Sequence, residues 1–112
     1  MQASPPPPDS AEDLLEGLLE PLLDDFAASF ERGQHLLEDC PESVMPLARQ
    51  NRLLGRLEEA RLELVAARSL RAAAPRPMAL DMATITPWHQ LVVEVWTLSA
   101  ALRAAGAHPD AP

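Results

Sequence analysis

The side chains of this 112-residue chain that could do chemistry are three His, one Cys, seventeen carboxylates and nine Arg. His35 has the densest company, with Glu31 one helical turn before it and Glu38 and Asp39 just after. A metal centre in a helical protein gathers several ligands from facing helices, commonly as Glu-x-x-His pairs. No Glu-x-x-His string occurs in the chain. Cys40 follows His35 by five residues and lacks the third, orienting group that an activated thiol needs. His89 has Glu94 five residues on, off its face of a helix, and His108 sits in the tail. Glu20, Asp24 and Asp25 could gather on Mg²⁺, but nothing in the sequence fixes them there. There is no glycine-rich phosphate loop and no Lys for Schiff-base chemistry. The expectation is a noncatalytic protein with no catalytic residues, metal or cofactor.

Arg49, Arg52, Arg56, Arg61, Arg68, Arg71 and Arg76 raise a second chemistry, a grip on phosphate or RNA. Their segment contains no aromatic residue to stack a base, and the chain carries a net charge of −8 with a pI near 4.7. Neutralising an acidic helix, or meeting an acidic protein, is a better use of them than binding nucleic acid. Charge is sharply segregated along the chain. Residues 1–42 hold eleven acids and only Arg32, whereas residues 43–76 hold seven Arg and three Glu. An acidic rod laid against a basic one prefers that partner over its own copy.

These side chains need elements to carry them, and the composition points to helices. Ala and Leu number nineteen each, against five Val and one Ile, with only four Gly and no Tyr. Leucine doublets at 14/15, 18/19 and 22/23, then Phe26, Phe30, Leu36 and Leu37, recur at helical spacing. Ser10 can cap this segment. Pro21 predicts a kink, or a short helix at 10–20 followed by a main one at 21–39. Phe26 and Phe30 read as core, and Gly33 is small enough to admit a close helix crossing. Cys40-Pro41 closes the segment, and residues 40–43 read as a tight connection. A second helix is expected over 44–74, capped by Ser43, with Leu53, Leu57, Ala60, Leu64 and Ala67 inward and Leu47, Leu54 and Leu70 beside them. Two rods of about 46 Å each pair most simply as an antiparallel hairpin.

Ala74-Pro75-Arg76-Pro77 stops the second helix, and residues 78–86 are apolar without a helical period. Thr86-Pro87 offers an N-cap and a Pro at the first helical position, so a third helix is expected from Pro87 to about Ala105. Its inward stripe is Trp88, Leu91, Val95, Leu98 and Leu102, widened by Val92 and Ser99. Gln90, Glu94, Thr97 and Ala101 form its wet strip. His89, Val93 and Trp96 fall outside both, so the helix is apolar over most of its circumference. Either residues 78–86 fold over that extra surface, or a partner does; His89, Val93 and Trp96 are the expected partner interface.

Two strings look familiar. Leu-Leu-Glu-Pro-Leu-Leu-Asp-Asp-Phe at 18–26, with Phe30-Glu31-Arg32 and Leu36-Leu37-Glu38, is the first. Thr-Pro-Trp-His-Gln-Leu-Val at 86–92, with Glu94 and Trp96, is the second. Together they resemble a small family of uncharacterised cyanobacterial proteins, DUF2605, over roughly residues 14–103. Ser29 stands where the family suggests an aromatic residue, and Val95 where it suggests a Cys. The resemblance implies a cyanobacterial protein, cytoplasmic or peripheral to the thylakoid, and supplies no activity. It marks Pro87, Trp88, His89 and Trp96, with Phe26 and Phe30, as the motif residues.

The expected architecture is all-α, a long antiparallel helical hairpin with a third shorter helix, in effect a three-helix bundle. A disordered Pro-rich lead at 1–9 would precede one helical domain at 10–105, and a flexible tail at 106–112 would follow. The lead has no charged n-region or apolar h-region of a secretory signal, and no run approaches the ~20 residues that span a bilayer. The expected function is protein–protein interaction or scaffolding. The alternative is an assembly or regulatory factor for a larger complex, with a thylakoid association. A homodimer is consistent with the greasy third helix, and peripheral membrane association stays open.

Overall fold

The structure, a computed structural model, describes residues 8–73 and 82–106, with side chains over 17–73 and 83–106. Among these residues there are three helices and no strand: α1 (Pro8–Glu38), α2 (Leu47–Ala73) and α3 (Met82–Ala104). The lead through residue 7, the link at 74–81 and the tail from 107, including His108, lie outside the described residues.

The order is up-down-up, as an all-α three-helix bundle. Arg61 of α2 reaches Gln34 of α1, and Arg68 reaches Glu20 and Asp24 further back, so α1 and α2 are antiparallel. Trp88 meets Phe26 and Phe30, and Val95 lies over Gly33, so α3 runs with α1. Helix α1 is the shared element. It packs along both of the others, while α2 and α3 meet over a short length.

One member of each described leucine doublet on the N-terminal half of α1 is inward. Leu19 and Leu23 are buried, whereas Leu18 and Leu22 are exposed. Phe26, Phe30, Leu36 and Leu37 complete the α1 stripe. Helix α2 contributes Leu53, Leu57, Ala60 and Leu64, and α3 contributes Trp88, Leu91, Val92, Val95, Leu98 and Leu102. The apolar contacts drive the bundle, since burying one Leu or Val side chain is worth roughly 1.5–3 kcal/mol against about 0.2–1 for an exposed ion pair. At Gly33 side chains of both other helices press on α1. A Cβ built there would lie 2.7 Å from Val95 Cγ2 and 2.9 Å from Leu57 Cδ1, so the small residue is what lets α2 and α3 approach α1 together.

Several boundaries differ from the expectation. Helix α1 is uninterrupted from Pro8 through Pro21 to Glu38. Pro21 is exposed, and Leu19 and Leu23 on either side of it are buried, so breaking the register there would uncover the core. Helix α2 begins at Leu47, and Ser43 is not its cap. The carbonyl of Pro41 accepts the amides of Val44 (3.0 Å) and Met45 (3.2 Å), and the carbonyl of Pro46 accepts the first amide of the helix, from Gln50 at 3.0 Å. Gln50 itself is buried. Its side-chain amide donates to the carbonyls of Cys40 (3.0 Å) and Met45 (2.9 Å), stitching the turn to the helix start. Helix α3 begins at Met82 rather than Pro87, which places Pro87 inside the helix. Ile85 packs against the core, and continuing the helix backwards is what places it there; the loss is one amide bond near the helix start. At its other end Gly106 adopts φ +80° and its amide returns to Arg103 at 3.1 Å, an αL termination. Leu47 and Leu70, expected beside the core, are exposed, and Leu54 and Ala67 are half-buried.

Candidate functional site

The aromatic motif residues separate into two groups. Phe26, Phe30 and Trp88 are buried together: the Phe rings lie 6.0 Å apart, and Trp88 stands edge-on to them at 5.3 and 6.4 Å. The indole N–H of Trp88 donates to Glu63 on α2 at 3.2 Å, so the polar end of the ring reaches the bundle edge. This cluster closes the core between all three helices. Pro87 and His89 are exposed on α3.

Trp96 and Val93 form the second group. Trp96 is 62% exposed and Val93 is 41% exposed, on the flank of α3 that also carries His89. Helical spacing of three and four residues joins His89, Val93, Trp96, Ala100 and Arg103 into one seam, a second stripe beside the buried one. The lone carboxylate of the described part of α3, Glu94, points the other way and is held by Arg56 of α2 at 2.7 Å. The strip expected to be wet is therefore partly tied to α2.

The titratable groups sort differently. His35 lies 3.9 Å from Glu31 and 3.6 Å from Glu38, all three on one exposed face of α1. Among the described residues no three His, Cys, Asp or Glu side chains are grouped to hold a metal ion. Cys40 is half-buried, its thiol directed at the Pro41 carbonyl 3.6 Å away, and burial pushes its pKa up, away from the thiolate. The acidic and basic rods meet as their charges require. Arg68 binds Glu20 (2.6 Å) and Asp24 (2.7 Å), and Arg71 binds the other oxygen of Glu20. The hydrogen bond from Arg71 leads the effects that hold the Glu20 carboxyl below its usual range, and that to Asp24 leads those that raise Arg68.

Sequence reasoning missed the Gln50 stitch, the Arg32–Ser99 bond (3.3 Å) and the Glu63 partner of Trp88. A lone Gln amid a leucine stripe was the available signal for the first; the others depend on the crossing of the helices. Among the described residues no helix is long and apolar enough to cross a membrane.

No curated protein and no solved structure matches this chain. A sequence profile of proteins of unknown function does match, over residues 9–104, and thus over all three helices. The chain belongs to that family, DUF2605.

Proposed function

We propose that this protein is a noncatalytic interaction or scaffold protein that presents the His89–Val93–Trp96 flank of α3 to a protein partner. The exposure of Trp96 carries the reading. An indole left 62% in solvent next to a 41% exposed Val is costly for a surface that meets only water, and Trp is the residue most enriched at binding hot spots. Neither side chain belongs to the buried core. Family membership extends the proposal to a cyanobacterial cell, in the cytoplasm or at the thylakoid periphery. A transient assembly or regulatory factor is the form this function takes if the partner does not co-purify in fixed ratio.

The test is Trp96→Asp. The variant keeps wild-type helicity and melting temperature and loses the partner in affinity capture from the native cell. A variant that unfolds, or that captures the same partner equally well, removes the proposal. Sedimentation at several concentrations separates a homodimer from a foreign partner: a mass of 12.2 kDa throughout ends the homodimer.

A further inference from the structure

The charges around Trp96 are set out symmetrically. The hydrogen bond from Arg32 of α1 to Ser99 of α3 fixes where these two helices meet on the side away from α2. Trp96 and Arg103 stand one turn on either side of Ser99, so they flank Arg32. Asp25 and Asp39 lie seven residues before and after Arg32, along its line of α1 and into the turn that follows. Asp25, Asp39 and Arg103 are exposed, and among the described residues none of them is in a hydrogen bond or ion pair. With Arg32 their formal charges cancel, so this face is neutral on a chain of charge −8. Other carboxylates of α1 turn elsewhere: Glu20 and Asp24 to Arg68 of α2, Glu31 and Glu38 to His35.

Their heights match as well. Gly33 and Val95 lie opposite each other, on helices that run in the same direction. Asp25 is eight residues below this level on α1 and Arg103 eight above it on α3, about 12 Å each way at 1.5 Å per residue. Asp39 is six residues above it, and His89 six below. We propose that this face is a homodimer interface, with a second copy of the chain packed antiparallel across a two-fold axis at the Gly33–Val95 level. The axis carries Asp25 onto Arg103 of the second copy and Asp39 onto its His89, and each pair forms twice, as an isologous interface requires. Trp96 is one residue above the axis and Val93 two below, so each indole rests on Val93 of the other copy. Opposite charges at equal distances from an apolar centre are self-complementary, which selects a copy as the occupant. The inference rests on the reading of Trp96 as a contact residue and names its partner. The face is about 24 Å long and two helices wide, roughly 500 Å² per copy, so the dimer is weak and concentration-dependent.

The test is sedimentation equilibrium of the full chain from about 1 μM to about 1 mM. The wild-type mass rises from 12.2 kDa towards twice that value. Trp96→Asp stays monomeric. Asp25→Arg sets Arg against Arg103 and weakens association about tenfold or more. Net charge alone predicts the reverse, because this change brings −8 closer to zero. Arg103→Asp weakens association comparably. The double variant Asp25→Arg/Arg103→Asp restores it, and so does an equimolar mixture of the two single variants, whose chains pair with each other in preference to themselves. All altered side chains are exposed, so circular dichroism finds wild-type helicity throughout. A mass of 12.2 kDa at every concentration overturns the inference, as does a dimer indifferent to Trp96→Asp or to the charge reversals. A monomer that still captures another protein through Trp96 overturns the copy as partner and leaves the contact reading standing; a monomer that captures nothing through Trp96 removes both.

Discussion

Replacing Gly33 with Ala separates the packing account from simple helix propensity. Ala in a helix interior is favoured over Gly by about 0.8–1 kcal/mol. At Gly55 and Gly17 an added Cβ meets nothing within 4 Å, so Gly55→Ala gains that amount. At Gly33 the added methyl would sit 2.7 Å from Val95 Cγ2 and 2.9 Å from Leu57 Cδ1. The Leu57 methyl ends a flexible side chain, but Val95 is fully buried and a β-branched Val in a helix is held to essentially one χ1, so the closer contact cannot swing away. Overpacking of this kind costs roughly 1–3 kcal/mol, so Gly33→Ala ends between about 0 and 2 kcal/mol less stable than wild type after the propensity gain. The gap between the two Ala variants is thus about 1–3 kcal/mol, several degrees or more in melting temperature for a domain of this size. Far-UV circular dichroism melts and urea titrations of both variants read it directly. Adding Val95→Ala to Gly33→Ala removes the closer clash, and a double-mutant cycle reports a favourable coupling. A Gly33→Ala protein as stable as Gly55→Ala would refute the close three-helix approach on which the architecture rests.

Other perturbations probe separate parts of the fold. Trp88→Ala removes the ring that stands edge-on to Phe26 and Phe30 and costs about 3–5 kcal/mol, read by urea titration. Gln50→Ala leaves the Cys40 and Met45 carbonyls without its amide and costs about 1–3 kcal/mol, read in the same way. Because Glu20 is held below the usual carboxylate pKa, its contribution to the α1–α2 pairing is full above that range. It is lost as pH falls through the lowered folded value, so amide protection factors, taken relative to the intrinsic exchange rate, fall around residues 17–24 and 64–73 in acid. High salt does the same at neutral pH, and Arg68→Ala/Arg71→Ala abolishes both sensitivities.

Most of the architecture was legible because it depends on periodicity. The inward residues of α3, Trp88 through Leu102, follow from spacing alone, and Phe26 and Phe30 lie where their stripe places them. The segregation of acids and arginines foretold the Arg68–Glu20–Asp24 clamp. What failed was local punctuation. Thr86-Pro87 carries a strong start signal, yet burial of Ile85 extends the helix upstream of it. Pro21 carries a break signal, yet continuity of Leu19 and Leu23 in the core keeps the helix whole. In both cases a single amide bond competes with a large apolar side chain, and the side chain prevails. Leu47, Leu62, Val65 and Leu70 expose the converse limit: a helical stripe identifies apolar residues but not which of two neighbouring stripes has a covering partner.

Exposed apolar residues lie beside the buried stripe on both outer helices. Helix α1 touches each neighbour along its length, while α2 and α3 share little. Each outer helix carries exposed apolar residues, Trp96 and Val93 on α3, Leu62 and Val65 on α2. Their electrostatics differ. The α3 seam runs from His89 to Arg103, and the carboxylate of Glu94 is held by Arg56 on another face of the helix; on α2, Leu62 and Val65 stand one turn from Glu58, Glu59 and Arg61. Two surfaces of similar greasiness and unlike charge select unlike partners. The proposed use of Trp96 rests on the α3 seam, and Trp96→Asp changes that seam without touching the buried stripe that holds α3 on α1.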